Sequence, residues 1–178
     1  LAFLPNGDML VTEQSRTTVR LIHAGVLDPT PITGLPPGIE SQRRDTAGVD
    51  IAVHPRFSEN QLVYVAFWKP KPGAEQLRTA VIVRARLEDH QFTDVREIFE
   101  SASWTDGPSA ARIIFGPDGK LCVAIGAPGF QESLGETTWA QDPDHHGGKI
   151  LRLNEDGTVP EDNPFVGRPG YRPEIFAL

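Results

Sequence analysis

Three stretches of this chain share one pattern of apolar and polar positions: an apolar strand, a turn led by proline, and a second apolar strand. The first is Phe3-Leu4-Pro5-Asn6-Gly7-Asp8-Met9-Leu10-Val11. The second is Val53-His54-Pro55, running on to Asn60-Gln61-Leu62-Val63-Tyr64-Val65. The third is Phe115-Gly116-Pro117-Asp118-Gly119-Lys120-Leu121-Cys122-Val123. Proline presets φ at the turn, and the glycine or asparagine that closes it accepts the positive φ that reverses the chain. A further strand with an embedded arginine follows each hairpin, at 19–22, 81–87 and 150–153. The alternation predicts a fourth strand at 95–99 and again at 174–178.

The three prolines stand at 5, 55 and 117, so the unit recurs after 50 and then 62 residues. Four strands per repeat at that period predict an all-β fold, a β-propeller fragment of about three four-stranded blades. Approximate blades are 1–47, 48–101 and 102–165, with 166–178 starting the next blade. A β-sandwich is the alternative, since it also places a short strand every ~8–12 residues. Recurrence of the whole unit, and not only of its hairpin, favours the propeller. Helical periodicity is weak throughout, and 131–142 is the best stretch for helical or irregular structure.

Composition narrows the function. Of 178 residues 39% are apolar and 23% charged, an ordinary globular balance, and 17 glycines and 16 prolines are spread along the chain as many turns require. The net charge of -7, with no clustered basic face, argues against nucleic acid as a partner. No apolar run reaches the ~20 residues of a membrane span. Leu1-Ala2-Phe3-Leu4 reads as mid-strand and 173–178 as a strand beginning, so both ends look cut and any signal peptide lies outside the sequence. A propeller hides its edges by closing, so three blades in isolation expose two apolar faces and are expected to self-associate. The lone Cys122, between Leu121 and Val123, reads as a packed core thiol.

Several of these stretches carry a resemblance. They are Leu1-Ala2-Phe3-Leu4-Pro5-Asn6-Gly7, Asp50-Ile51-Ala52-Val53-His54-Pro55-Arg56-Phe57, Arg112-Ile113-Ile114-Phe115-Gly116-Pro117-Asp118-Gly119 and Ala140-Gln141-Asp142. The most specific is Gly148-Lys149-Ile150-Leu151-Arg152-Leu153-Asn154-Glu155-Asp156-Gly157-Thr158-Val159-Pro160, continuing to Phe165. Taken in order, they resemble the glucose/sorbosone dehydrogenase family, which includes soluble quinoprotein glucose dehydrogenases and bacterial aldose sugar dehydrogenases. The resemblance implies a six-bladed propeller that binds pyrroloquinoline quinone (PQQ) and calcium over its central channel. It implies oxidation of an aldose to a lactone, with a histidine taking the hydroxyl proton while hydride passes to the quinone. It further implies a sugar or polyol as the small-molecule partner and a periplasmic or secreted location.

The match breaks at chemically pointed places. Pro108 stands where the family has its catalytic histidine, four residues before the arginine aligned with Arg112. The acidic residue after the next strand falls at Ala127, and a pocket glutamine falls at Asp45. The resemblance puts the quinone-anchoring Arg-Asn segment and the calcium ligands downstream of Leu178, so no cofactor or metal residue is assigned within this segment. Asp106, two residues from Pro108, is a candidate substitute base or a turn aspartate. Asp45, beside Arg43 and Arg44, is a pocket carboxylate or part of a surface ion cluster. Arg112 is a substrate contact or a structural tie between blades. Asp142, Asp144, His145 and His146 superficially suggest a metal set, but adjacent side chains on an extended chain diverge and a loop reading is favoured. His54 belongs to its turn. Two functions remain open: a divergent sugar dehydrogenase, or a propeller that binds a carbohydrate or protein partner without chemistry.

Overall fold

The computed structural model describes residues 1–13, 18–36, 50–105, 111–126 and 139–178. Among them twelve strands form three four-stranded antiparallel sheets. The first holds β1 (Ala2–Phe3), β2 (Met9–Glu13), β3 (Thr18–His23) and β4 (Val26–Leu27). The second holds β5 (Asp50–Val53), β6 (Leu62–Lys71), β7 (Ala74–Glu88) and β8 (Gln91–Glu100). The third holds β9 (Ala111–Phe115), β10 (Leu121–Ile125), β11 (Lys149–Leu153) and β12 (Ile175–Ala177). Every strand pairs with its sequence neighbours, so each sheet is a meander, the unit of a propeller blade.

The proline turns fall between the first two strands of each sheet. In the first, Gly7 at φ 89 donates its N–H to Leu4 O at 3.0 Å. The second turn differs from expectation, because a single helical turn, α1 (Phe57–Asn60), precedes β6. There the positive φ falls on Gln61, at 56°, and not on Asn60. Asn60 instead accepts the Leu62 N–H on its side-chain oxygen at 3.0 Å. His54 is buried in this turn, its Nδ1 accepting the Arg56 N–H at 3.0 Å.

Residues 166–178 were expected to start a next blade, and here the structure corrects the sequence. Ile175–Ala177 pairs antiparallel with β11 as the fourth strand of the third sheet, Leu151 opposite Ile175, and the Arg152 N–H donates to Glu174 O at 2.9 Å. The same segment therefore follows its other reading, as a fourth strand at 174–178. Strand β4 is too short to leave a pattern in the sequence.

The middle sheet is buried on both faces. Val63, Val65 and Phe67 of β6 pack with Leu10 and Val19 of the first sheet. The intervening Tyr64, Ala66 and Trp68 pack with Ile113, Leu121, Val123, Leu151 and Ile175 of the third. That double burial explains a continuous apolar run where a half-buried strand would alternate, each large side chain contributing about 1.5–3 kcal/mol.

Among the described residues, the first and third sheets each pack against another sheet on one face only. Phe3, Met9, Ile22 and Leu27 form a register row across the outward face of the first. Ile114, Cys122 and Arg152 do so across the third, with Phe176 laid over the Arg152 guanidinium. Cys122 is thus a correction. It is only half-buried, because the two-residue strand period that puts Leu121 and Val123 in the core turns Cys122 outward.

Candidate active-site groove

The first strands of successive sheets, β1, β5 and β9, lie against one another and line a groove of about 610 Å³. One wall is Ala2, Phe3, Ile51 and Val53; the other is Ile113 to Phe115. The groove then runs out over Cys122, Ala124 and Ile150, which belong to the uncovered face of the third sheet. Only the part walled by the three inner strands is enclosed by neighbouring sheets.

Its charged side chains are Asp50 and Arg112, at the ends where β5 and β9 begin. Asp50 is only 8% exposed, and its Oδ2 accepts the Ile113 N–H at 2.9 Å. Its Oδ1 lies 3.6 Å from Arg112 Nη1, so one carboxylate ties the second sheet to the third. The Arg112 side chain is 76% exposed, so this ion pair leaves most of the guanidinium facing solvent. Sequence reasoning passed over Asp50. The available signal is an aspartate opening an apolar strand, Asp50-Ile51-Ala52-Val53, where no turn needs it. Asp50→Ala is expected to cost about 2 kcal/mol by leaving the Ile113 N–H unpaired, and hydrogen exchange at Ile113 should accelerate. Unchanged protection at that amide would show the tie to be dispensable.

Asp45, Asp106, Pro108 and Ala127 lie outside the described residues. So does most of 131–142; its described end, Trp139 to Asp142, is turn.

Asp142, Asp144, His145 and His146 are not brought together around one point. His146 is 1% exposed, and its Nδ1 accepts the Ala102 N–H at 3.0 Å. Its Nε2 therefore carries the hydrogen and donates to Glu174 Oε1 at 2.6 Å. His145 turns the other way, stacking on Trp139 with centroids 4.2 Å apart. The Ser103 hydroxyl accepts the His146 N–H at 2.8 Å and donates to His145 Nδ1 at 2.7 Å. Asp142 spends an oxygen on the Asp144 N–H, and Asp144 pairs with Arg172. Burial, against the pull of the Asp142 charge, holds the His145 imidazole below its ordinary value. Burial likewise lowers the Lys149 ammonium, which donates to the carbonyls of Trp139 and Gly147. These contacts bind the turn at 139–147 to the end of β8.

The sequence profile of the family described as Glucose / Sorbosone dehydrogenase matches residues 1–178. The chain belongs to that family. This glucose/sorbosone dehydrogenase family member is 36% identical over 189 residues to an uncharacterized protein of Synechocystis, covering 99% of this chain and 45% of that protein. It is 28% identical to the aldose sugar dehydrogenase YliI of Escherichia coli, covering 99% of this chain and 46% of the relative. The crystal structure of the soluble E. coli aldose sugar dehydrogenase in its apo form superposes with a TM-score of 0.80 at 28% identity, over 98% of this chain and 49% of that one. The PQQ-bound aldose sugar dehydrogenase of Streptomyces coelicolor superposes with a TM-score of 0.73 at 28% identity, over 98% and 48%. The chain spans about half the length of the relatives it matches. Its three sheets are β-propeller blades.

The described residues of this family member do not by themselves make a site for the quinone or a calcium ion. PQQ carries three carboxylates, and the groove offers Arg112 as its one cation. Calcium takes about 6–8 oxygen ligands, whereas no group of three or more His, Cys, Asp or Glu among the described residues is placed to hold a metal. Among the described residues, no helix is long and apolar enough to cross a membrane.

Proposed function

We propose that the protein is a divergent PQQ-dependent sugar dehydrogenase, oxidising a hydroxyl of an aldose or related polyol, with PQQ and calcium bound by the full-length protein. The observation that supports this reading is the match of all 178 residues to the family, together with an Asp50–Arg112 pair at one end of the groove between inner strands. In this reading Arg112 donates hydrogen bonds to a sugar hydroxyl or ring oxygen, and Asp50 holds the guanidinium in place. Asp106 or Asp45 takes the part of the base that Pro108 cannot supply. The blades are divided near 47 and 101, with the third running on to β12, the ring has six of them, and the location is periplasmic or secreted. Self-association of the three-blade chain belongs to the same reading.

Pro108 also favours a second reading, a propeller that binds a carbohydrate or a protein partner without turning it over. A general base is typically worth ~10²–10⁴ in rate, and proline has neither a titratable group nor an N–H.

The test is reconstitution of the full-length protein with PQQ and calcium, followed by dye reduction with a panel of aldoses. Stoichiometric quinone uptake and aldose-dependent reduction are expected. Absence of quinone uptake overturns the dehydrogenase reading, and uptake without reduction supports the binding module. Pro108→His alone is expected to raise turnover less than ~10-fold, because Ala127 and Asp45 also depart from the family pattern.

A further inference from the structure

We propose that the Ser103–His145 contact is a proton-operated latch on the turn at 139–147, closed while His145 is neutral and opened when its ring takes up a proton. The Ser103 hydroxyl is fully committed. Its oxygen accepts the His146 N–H at 2.8 Å and the Gly147 N–H at 3.2 Å, one for each lone pair. Its single hydrogen is left for His145 Nδ1, 2.7 Å away. Nδ1 is therefore an acceptor, and the neutral ring carries its hydrogen on Nε2. That makes Nδ1 the one atom of the ring able to take a further proton. A proton there meets an oxygen with no lone pair to spare. The hydroxyl has to turn, and three N–H donors then compete for two lone pairs. Ser103 is buried, so water cannot supply the missing acceptor unless the turn opens.

The surroundings hold the latch closed near neutral pH. Burial and the Lys149 and Arg172 charges oppose a proton on His145, with His146 the adjoining titratable ring, while Asp142 favours it. Behind these stand Asp144, paired with Arg172, and Glu174, bonded to His146. The ring consequently titrates below the ordinary 6.5 of histidine. With the folded value lowered, the contact is complete above 6.5 and is lost as pH falls through the folded value. The latch sits close to the groove in the plan of the fold. Ile125, where β10 ends, pairs with both Ala111 and Lys149, and Ala124 pairs with Arg112. The turn thus completes the connection from β10 to β11 at the end of the third sheet where Arg112 stands. Acid loosens that rim, and neither sugar nor quinone is needed for it to do so.

Hydrogen exchange of the full-length protein, read by mass spectrometry on a peptide spanning 143–149 from about pH 7.5 to about pH 4, tests this. After correction for the intrinsic rate, exchange in the parent should rise ~10-fold as His145 protonates, as expected for the loss of one hydrogen bond. His145→Asn puts an amide oxygen in place of Nδ1; it accepts the Ser103 hydroxyl but does not titrate, so the added rise should vanish. The Glu174 titration is common to both proteins and cancels in the comparison. Ser103→Ala removes the shared acceptor and should exchange fast already at about pH 7.5. An acid-induced rise of equal size in the parent and His145→Asn, or none in either, overturns the proposal. Full protection of the same peptide in Ser103→Ala at about pH 7.5 overturns it as well.

Discussion

Gly157→Ala is expected to destabilise the protein by about 3 kcal/mol, lowering the melting temperature by ~10 °C. Gly157 sits at φ 87 in the turn after β11, where a Cβ would collide with the Ile98 carbonyl oxygen of β8 and come within 2.9 Å of the Ile98 Cβ. The obstacle is backbone, which cannot swing away as the end of a flexible side chain could. Gly7→Ala is the matched control: its φ of 89 is nearly the same, but nothing lies within 4 Å of the added carbon. That variant carries only the backbone strain, about 1 kcal/mol. Equal losses in the two variants, read by urea denaturation, would mean that the close approach of the third sheet to the second adds nothing.

Replacing His146 by leucine is expected to cost about 3 kcal/mol as well, and to change how stability depends on pH. The imidazole is the donor to Glu174 and the acceptor for Ala102, so its loss strips a largely buried carboxylate of its shortest hydrogen bond and leaves a backbone N–H unpaired. Burial pushes the Glu174 carboxyl up, but the hydrogen bond from His146, its own backbone N–H and the Arg172 charge outweigh it. The carboxyl therefore titrates below the usual 4.5 for glutamate in the folded protein. A lowered folded value means that the stabilisation is complete above the unfolded value. It is then lost as pH falls through the folded one. Unfolding free energies of the parent should fall as pH drops below ~4.5, and those of His146→Leu should fall less steeply. Parallel profiles would show that Glu174 draws its low titration from something other than His146.

The strand plan is legible in the sequence because each hairpin is local. Proline, turn and flanking apolar residues lie within one window at Pro5 and at Pro117, and the strands flank those turns. The embedded-arginine strands are legible for a similar reason. Arg20, Arg84 and Arg152 interrupt apolar runs that no loop would contain. Long-range burial is much harder to read. Nothing near Cys122 says which face of the third sheet is covered, since that depends on what packs against β10 from elsewhere in the chain. The role of Asp50 is hidden in the same way, because its partners Arg112 and Ile113 are more than sixty positions distant. At the candidate site the sequence is informative through the residue types at 45, 106, 108 and 127, all of which lie outside the described residues. Among the described residues, Asp50 and Arg112 are the charged groups of the groove.

A sheet sealed on both sides has a consequence for how this molecule comes apart. β6 and β7 can be solvated only after one flanking sheet has peeled away, so their amides should belong to the last cooperative unit to open. The peripheral sheets, each held by a single apolar seam, are where proteases would find their first purchase. Any shortened version meant to keep its structure has to retain the central sheet, β5 to β8, together with at least one neighbour to shelter it.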